Sequence, residues 1–250
     1  MRTVAATRYV TPLREGGSLP AVVEGDDSGL YVLKFRGAGH GAKALVAEVV
    51  AGELMRAAGL RLPEIVLMEV DAALGRNEAD PEIRDLLRSS VGLNLGLDFL
   101  PGSAGFDPAA GPPPPGDEAS AVVWMDAFTH NIDRTARNPN LLWWHGRLWA
   151  IDHGAAIVAQ HAGLAGAAER PFAAIAEHVL LPVAGSVVEA DARLRGRLSR
   201  DDLERIVGLV PAAWFANDPA DAYVEHLERR LAHSRSLADE AEGARVRRAA

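Results

Sequence analysis

Apolar and polar positions run in short strand-like patterns up to about residue 100 and in longer helical patterns beyond it. Residues Arg14 to Gly29 set Gly16, Gly17, Pro20, Gly25 and Gly29 around the apolar run Ala21-Val22-Val23, which predicts a hairpin. Leu30-Tyr31-Val32-Leu33-Lys34-Phe35 predicts a strand, with Leu30, Val32 and Lys34 on one apolar face. Ala44 to Ala58 predicts a helix stopped by Gly59, with Pro63 beyond. A strand over Glu64 to Val70, a short helix over Pro81 to Ser89 and a strand over Val91 to Leu100 follow. Gly102 to Gly116, with prolines at 112 to 115, can form neither a regular helix nor a central strand and predicts a stiff exposed loop.

After that loop, Ser120 to Thr129 is mostly apolar and follows Asp117 and Glu118, which predicts a buried helix with carboxylates at its positive end. Asn131 to Asn140 holds one aliphatic residue, Ile132. Leu141 to Trp144 and Arg147 to Ile151 then flank His145-Gly146, a two-residue hairpin signal that leaves Asp152 at a strand exit. Helices are predicted over Pro171 to Leu181 and over Ser199 to Val210, the second with Ser199 as cap and Asp202 three residues on. Asp218-Pro219 opens what reads as the last amphipathic helix, through Tyr223, Leu227 and Leu231, and Arg245 to Arg248 reads as a solvated basic tail.

Composition narrows the function classes. The 250 residues carry 48% hydrophobic side chains, enough for a sizeable core, and a net charge of -8, which disfavours general binding to nucleic acid or to an anionic membrane. No uninterrupted apolar stretch reaches about 18 residues and the N-terminus has no apolar signal core, so the expected location is the cytoplasm, with no membrane partner. The absence of cysteine removes disulfides, thiolate zinc sites and a thiol nucleophile. The eight histidines show no paired metal-ligand spacing, and Gly102-Ser103-Ala104-Gly105 is not the Gly-x-Ser-x-Gly of a hydrolase.

The chemistry that suits Asp133-x-x-x-x-Asn138 followed by a hairpin and Asp152 is phosphoryl transfer. One Asp accepts the proton of an attacking hydroxyl, while an Asn five residues on and an Asp at a strand end hold the metals that bridge nucleotide phosphates. Alone, Asp-x-x-x-x-Asn is ordinary turn chemistry; the hairpin and Asp152 give it weight. A lysine on an apolar strand face needs an anionic partner, so Lys34 either meets the phosphates, with Val32 beneath the adenine, or snorkels to water from an edge strand. Among the helix acids, Glu53 can pair with Arg56, whereas Glu48 has Ala44, Ala51, Gly52 and Met55 as neighbours and suits Lys34 better; a solvated Glu48 is the competing reading. Arg36 to Lys43, RGAGHGAK, could cradle phosphate or merely connect, and Gly16 and Gly17 compete for that role.

The pattern Asn131-x-Asp133-x-x-x-Arg137-Asn138, then a hairpin and Ile151-Asp152-His153-Gly154, resembles the HipA-like kinases, atypical serine/threonine kinases of protein-kinase-like fold. Relative to ordinary protein kinases, Asn131-Ile132 replaces His-Arg, His153 replaces Phe, and no Ala-Pro-Glu segment occurs. The resemblance implies an α+β, bilobal protein-kinase-like fold, with a strand-rich nucleotide-binding lobe over 1–100 and a helical catalytic lobe over 101–250. It implies ATP and Mg2+ as cofactors and transfer of the γ-phosphoryl to a hydroxyl acceptor, a protein Ser/Thr or, with the same machinery, a small molecule or lipid. A nucleotide-binding pseudokinase is the third reading. Asp133 is then the base and Asn138 and Asp152 the metal ligands. Lys34, ordered by Glu48, meets the phosphates, and main-chain groups of Leu97, Asp98, Phe99 and Leu100 meet the adenine edge. Arg137, standing for the family's lysine, is expected to neutralise charge on the transferred group. Asn131 is expected to order the loop or the metal site. At this length the extra N-terminal segment of full HipA toxins is not expected.

Overall fold

The computed structural model describes residues 1–13, 19–39, 41–76 and 78–249. Gly16, Gly17 and His40 therefore lie outside the described residues. The chain divides into two compact units, one of Met1–Leu45 with Pro63–Pro101 and one of Val46–Leu62 with Gly102–Ala250.

The first unit is built on five strands: β1 (Thr3–Pro12), β2 (Ala21–Gly25), β3 (Leu30–Lys34), β4 (Ile65–Val70) and β5 (Gly92–Asp98). They close into a barrel in the order β1-β2-β3-β5-β4, with β1 parallel to β4 and the other pairings antiparallel. Closure leaves no open edge in this sheet. The barrel is filled by alternate side chains, Val4 and Ala6 of β1, Val23 of β2, Tyr31 and Leu33 of β3, and Val66, Met68 and Val70 of β4. Ile83 and Leu87 of helix α2 (Pro81–Ser89) pack on the same core. Asp80 caps α2, accepting from Glu82 N–H at 2.9 Å, and Pro81 opens it.

Three sequence expectations change here. The turn of the expected 14–29 hairpin falls at Asp26–Gly29, between β2 and β3, where Ser28 takes φ 65°. The face holding Leu30, Val32 and Lys34 is the less buried one, because the alternate set Tyr31, Leu33 and Phe35 is wholly apolar in body and bulkier, and it takes the core. Strand β1 was not expected at all, although Val4 and Ala6 carry its inward alternation.

Helix α1 (Ala42–Ala57) is buried on nearly all sides from Leu45 to Gly52, which its apolar sequence demands. Gly59 just beyond it takes φ 88°, the left-handed turn that a side chain would strain.

The second unit centres on α3 (Gly116–Thr129), whose residues from Ala119 to Thr129 are all buried. Strand β6 (Ala104–Gly105) lies in the expected loop and pairs with β7 (Leu141–Trp144), which pairs in turn with β8 (Arg147–Ala150). His145 and Gly146 turn this hairpin at φ 48° and 68°, the doubly left-handed turn their dipeptide favours. Helices α4 (Val187–Leu194), α5 (Arg200–Val207), α6 (Ala220–Ala232) and α7 (Ser234–Ala249) complete the unit, with α4 and α7 against α3.

Helix α5 has a reciprocal capping box, in which the Ser199 side chain takes the Asp202 N–H and the Asp202 carboxylate takes the Ser199 N–H. Ser199→Ala is expected to cost about 1 kcal/mol, read from a denaturant midpoint that moves without a change in slope. An unmoved midpoint would contradict the cap.

Two expectations fail in this unit. Pro171 to Leu181 forms 3-10 turns over Ala173–Glu177 and Leu181–Val183 instead of an α-helix. Between them His178 is extended and bridges Thr135, while Val179 N–H donates to the Arg134 carbonyl at 3.0 Å, so tertiary bonds override local propensity. Helix α6 is also not the last. The basic segment from Arg245 belongs to α7, where Arg245 pairs with Glu242 and Arg248 donates to the His178 carbonyl at 3.4 Å. Ala238, Ala241 and Ala244 bury the other side of α7.

Candidate active site

The site begins where α3 ends. His130 caps the helix in the left-handed region at φ 53°, and Asn131 N–H returns to the Asp126 carbonyl at 2.9 Å. Further carbonyls at this end are met by Arg230 of α6, a buried guanidinium that donates to Ala127 and to Ala168 at 2.6 and 2.9 Å and also reaches Phe128. Burial, then the Arg230 charge, pushes His130 down to about 3 and His226 down to about 4, so both are neutral at pH 7. Unfolded, such groups titrate near about 6.5. Below that pH the unfolded chain binds more protons than the folded one, so stability should fall from pH 7 toward pH 4. Thermal melts across that range check this, and a midpoint that rises on acidification would contradict it.

Asp126, fully buried in α3, organises the loop that follows. Its carboxylate accepts from Asn131 Nδ2 at 3.0 Å, from the Arg134 guanidinium and from His178 Nε2 at 2.9 Å. Burial alone would raise its pKa, but the Arg134 charge and the His178 bond hold it well below the usual carboxylate range. His178 is itself pushed down by burial. Its Nδ1 accepts from Leu180 N–H at 3.1 Å, so the neutral ring presents Nε2–H to Asp126.

Arg134 is buried and joins three segments. Beyond Asp126 it donates to the carbonyl of Asn140 and to that of Ile151 at 3.3 Å, and it meets His153 Nδ1 at 3.2 Å. Beside these anchors stand the two acids singled out in the sequence. Asp133 precedes Arg134, and Asp152, in the left-handed region at φ 53°, lies between Ile151 and His153.

Asp133 is half-buried. Its Oδ2 accepts from Asn138 Nδ2 at 2.7 Å and from Asn140 Nδ2 at 3.3 Å, and its N–H donates to Asn131 Oδ1 at 3.2 Å. Burial and, more weakly, the Asp152 charge push its carboxyl up, against the two amide bonds and Arg134. Asn138 is exposed, and among the described residues its Oδ1 makes no hydrogen bond. Arg137 is exposed and makes no hydrogen bond or ion pair among the described residues. Asn131 is buried within the loop, where its two bonds order the chain.

Glu48 of α1 is fully buried, and its carboxylate accepts from the N–H of His153 at 2.8 Å, which fixes the residue after Asp152. Glu53 instead pairs with Arg56 at 3.2 Å. In the first unit, Val32 and Lys34 share the half-buried face of β3. Leu97 and Leu100 are buried, while Asp98 and Phe99 are half-buried. Asp98 N–H donates to Glu64 O, and Phe99 N–H to Leu30 O, each at 2.9 Å, so both of these main-chain donors are already engaged. In the 36–43 segment the N–H groups of Arg36 and Gly37 are taken by Asn94 Oδ1 at 2.8 Å and Ser90 Oγ at 3.1 Å.

Sequence reasoning missed Asp126, Arg134, Asn140 and His178. One signal was available: an Asp inside the apolar run of α3 has to find a cation or donors if the helix is buried.

A profile of the HipA-like kinases matches residues 7–238. The chain belongs to the HipA-like kinase family. No curated protein sequence matches it at a significant level. Among solved structures, this HipA-like kinase is similar to the Helicobacter pylori proinflammatory kinase CtkA, at TM-score 0.56 and 12% identity over 97% of this chain and 99% of that one. It is similar also to the Golgi casein kinase, at TM-score 0.57 and 13% identity over 100% of this chain and 76% of that one. The Golgi casein kinase structure with Mn/ADP bound matches at TM-score 0.55 and 14% identity, over 96% and 74%. At these identities the likeness is one of fold, and it is to kinase-like folds of mixed helix and strand. Among the described residues, no helix is long and apolar enough to cross a membrane.

Proposed function

We propose that this HipA-like kinase is an ATP- and Mg2+-dependent phosphotransferase that moves the γ-phosphoryl to a hydroxyl, with a protein Ser/Thr as acceptor. Residues 1–100 serve as the nucleotide-binding lobe and 101–250 as the catalytic lobe of a bilobal fold. The observation that carries the reading is that buried Arg134 ties together the two segments that hold the acids, since Asp133 directly precedes it and Asp152 directly follows Ile151, whose carbonyl it meets at 3.3 Å, with the pKa of Asp133 raised. In a hydroxyl-attack mechanism, Asp133 Oδ1 orients the acceptor and takes its proton as the acceptor oxygen bonds to the γ-phosphorus and the bond from that phosphorus to the bridging oxygen breaks, releasing ADP.

The residues present suit a hard divalent cation. Asn138 offers an unengaged carbonyl oxygen and Asp152 a carboxylate. No group of three His, Asp or Glu among the described residues forms a protein-only cage. That donor set fits a cation that keeps water and substrate phosphates as further ligands. Held there, such a cation would supply charge neutralisation on the phosphates. Lys34 is assigned to the phosphates with Val32 beneath the base, and main-chain groups of 97–100 to the adenine edge. The acid expected to order Lys34 is Glu48, and Glu53, held by Arg56, is not a candidate. The exposed Arg137 is free to meet the transferred group, whereas Asn131 acts on the loop.

ATP consumption measured with and without Mg2+, against protein, small-molecule and lipid hydroxyls, tests the reading. Transfer to a protein Ser/Thr that stops on chelation is the expected result. Transfer only to a small molecule or lipid would overturn the acceptor, and no metal-dependent ATP binding would overturn the reading itself.

A further inference from the structure

Asn140 has the geometry of a device acting on Asp133, and the inference rests on the assignment of Asp133 above. It is buried, directly ahead of β7, and holds φ 50°, a backbone region that Asn tolerates better than most side chains. Its carbonyl is taken from two sides, by the Arg134 guanidinium and by Ile151 N–H at 3.0 Å, which extends the β7–β8 ladder one step toward Asp152. The residue is thus fixed to the frame of the site, and its one free lever is the side-chain amide. That amide reaches Asp133 Oδ2 at 3.3 Å.

Asp133 Oδ2 carries a second amide, from Asn138, but the two donors differ. Asn138 is exposed and is the residue whose oxygen is wanted by a cation; Asn140 is buried and its backbone is pinned. We propose that Asn140 is a positioning residue for phosphoryl transfer, holding Asp133 Oδ2 so that Oδ1 stays aimed at the acceptor hydroxyl while Asn138 serves the metal. The contact is longer than the Asn138 bond, as catalytic hydrogen bonds often are before substrate closes the site. Its function is geometric, and misplacing a catalytic group by about 1 Å costs up to about 100-fold in rate.

Two substitutions keep the left-handed backbone and the pinned carbonyl. Asn140→Gly removes the side chain, and Asn140→Asp keeps its shape but replaces the donor by an acceptor. Both should lower kcat by about 10-fold or more and leave KM for ATP within about 2-fold. In an Asp133→Ala background, Asn140→Gly should lower the residual rate no further, since the residue acts through Asp133. Parent-like kcat in both variants would overturn the proposal. So would an equal loss in the Asp133→Ala background, or unfolding of both variants at the assay temperature, since either would assign Asn140 to the fold. The parent's own Mg2+-dependent turnover is the separate control: its absence defeats the phosphotransferase reading, while its presence with insensitive Asn140 variants defeats only this inference.

Discussion

Arg134→Ala is expected to destabilise the chain by about 3–5 kcal/mol, the largest single loss anticipated for a site residue. The substitution leaves Asp126 ionised, fully buried and without its cation, and it strips donors from the carbonyls of Asn140 and Ile151. Part of that loss is desolvation of the abandoned carboxylate, so Asp126→Asn paired with Arg134→Met should recover some of it, as a neutral pair of similar volume carries no orphaned charge. Denaturant unfolding of the three chains measures both quantities. A loss below about 1 kcal/mol for Arg134→Ala would mean that the arginine does not hold the loop and the strand exit together.

Asp133→Ala should cut phosphoryl transfer by about 100-fold or more and leave ATP and Mg2+ affinity nearly intact, because the residue is assigned to the acceptor. Asp152→Ala should lose nucleotide affinity and turnover together, since it removes a metal ligand. The split between the two variants is the informative quantity. If both lose affinity alike, Asp133 belongs to the metal site, and the division of roles along 133–152 is wrong.

The parts of the fold that were legible in the sequence are those specified by neighbours in the chain. His145-Gly146 between apolar runs dictates the β7–β8 turn, Pro81 starts α2, and Ser199 with Asp202 starts α5. Asp133, Asn138 and Asp152 stand out by their spacing alone, and the Glu53–Arg56 pair follows from its three-residue separation. What holds that loop in place was not legible, because the contacts link Asp126, Arg134, Asn140, Ile151 and His178, and of these only Asp126, an acid inside an apolar run, stands out in its local sequence. His178 shows this twice over: its bonds to Asp126 and across to Thr135 also undo the helix that Pro171 to Leu181 would otherwise favour. Helix α7 was hidden differently. Its buried side is mostly alanine, so an apolar stripe that is real in packing is faint in hydropathy, and its terminal arginines read as a tail.

One loop and one hairpin are proposed to carry metal-dependent phosphoryl transfer. Calorimetric titration with ATP and Mg2+, run on the parent, Asp133→Ala and Asp152→Ala beside a transfer assay, tests it most directly. Mg2+-dependent binding and transfer are expected in the parent, binding without transfer in Asp133→Ala, and loss of both in Asp152→Ala. A parent that binds ATP and Mg2+ yet transfers to neither water, itself nor any offered hydroxyl would contradict the proposal.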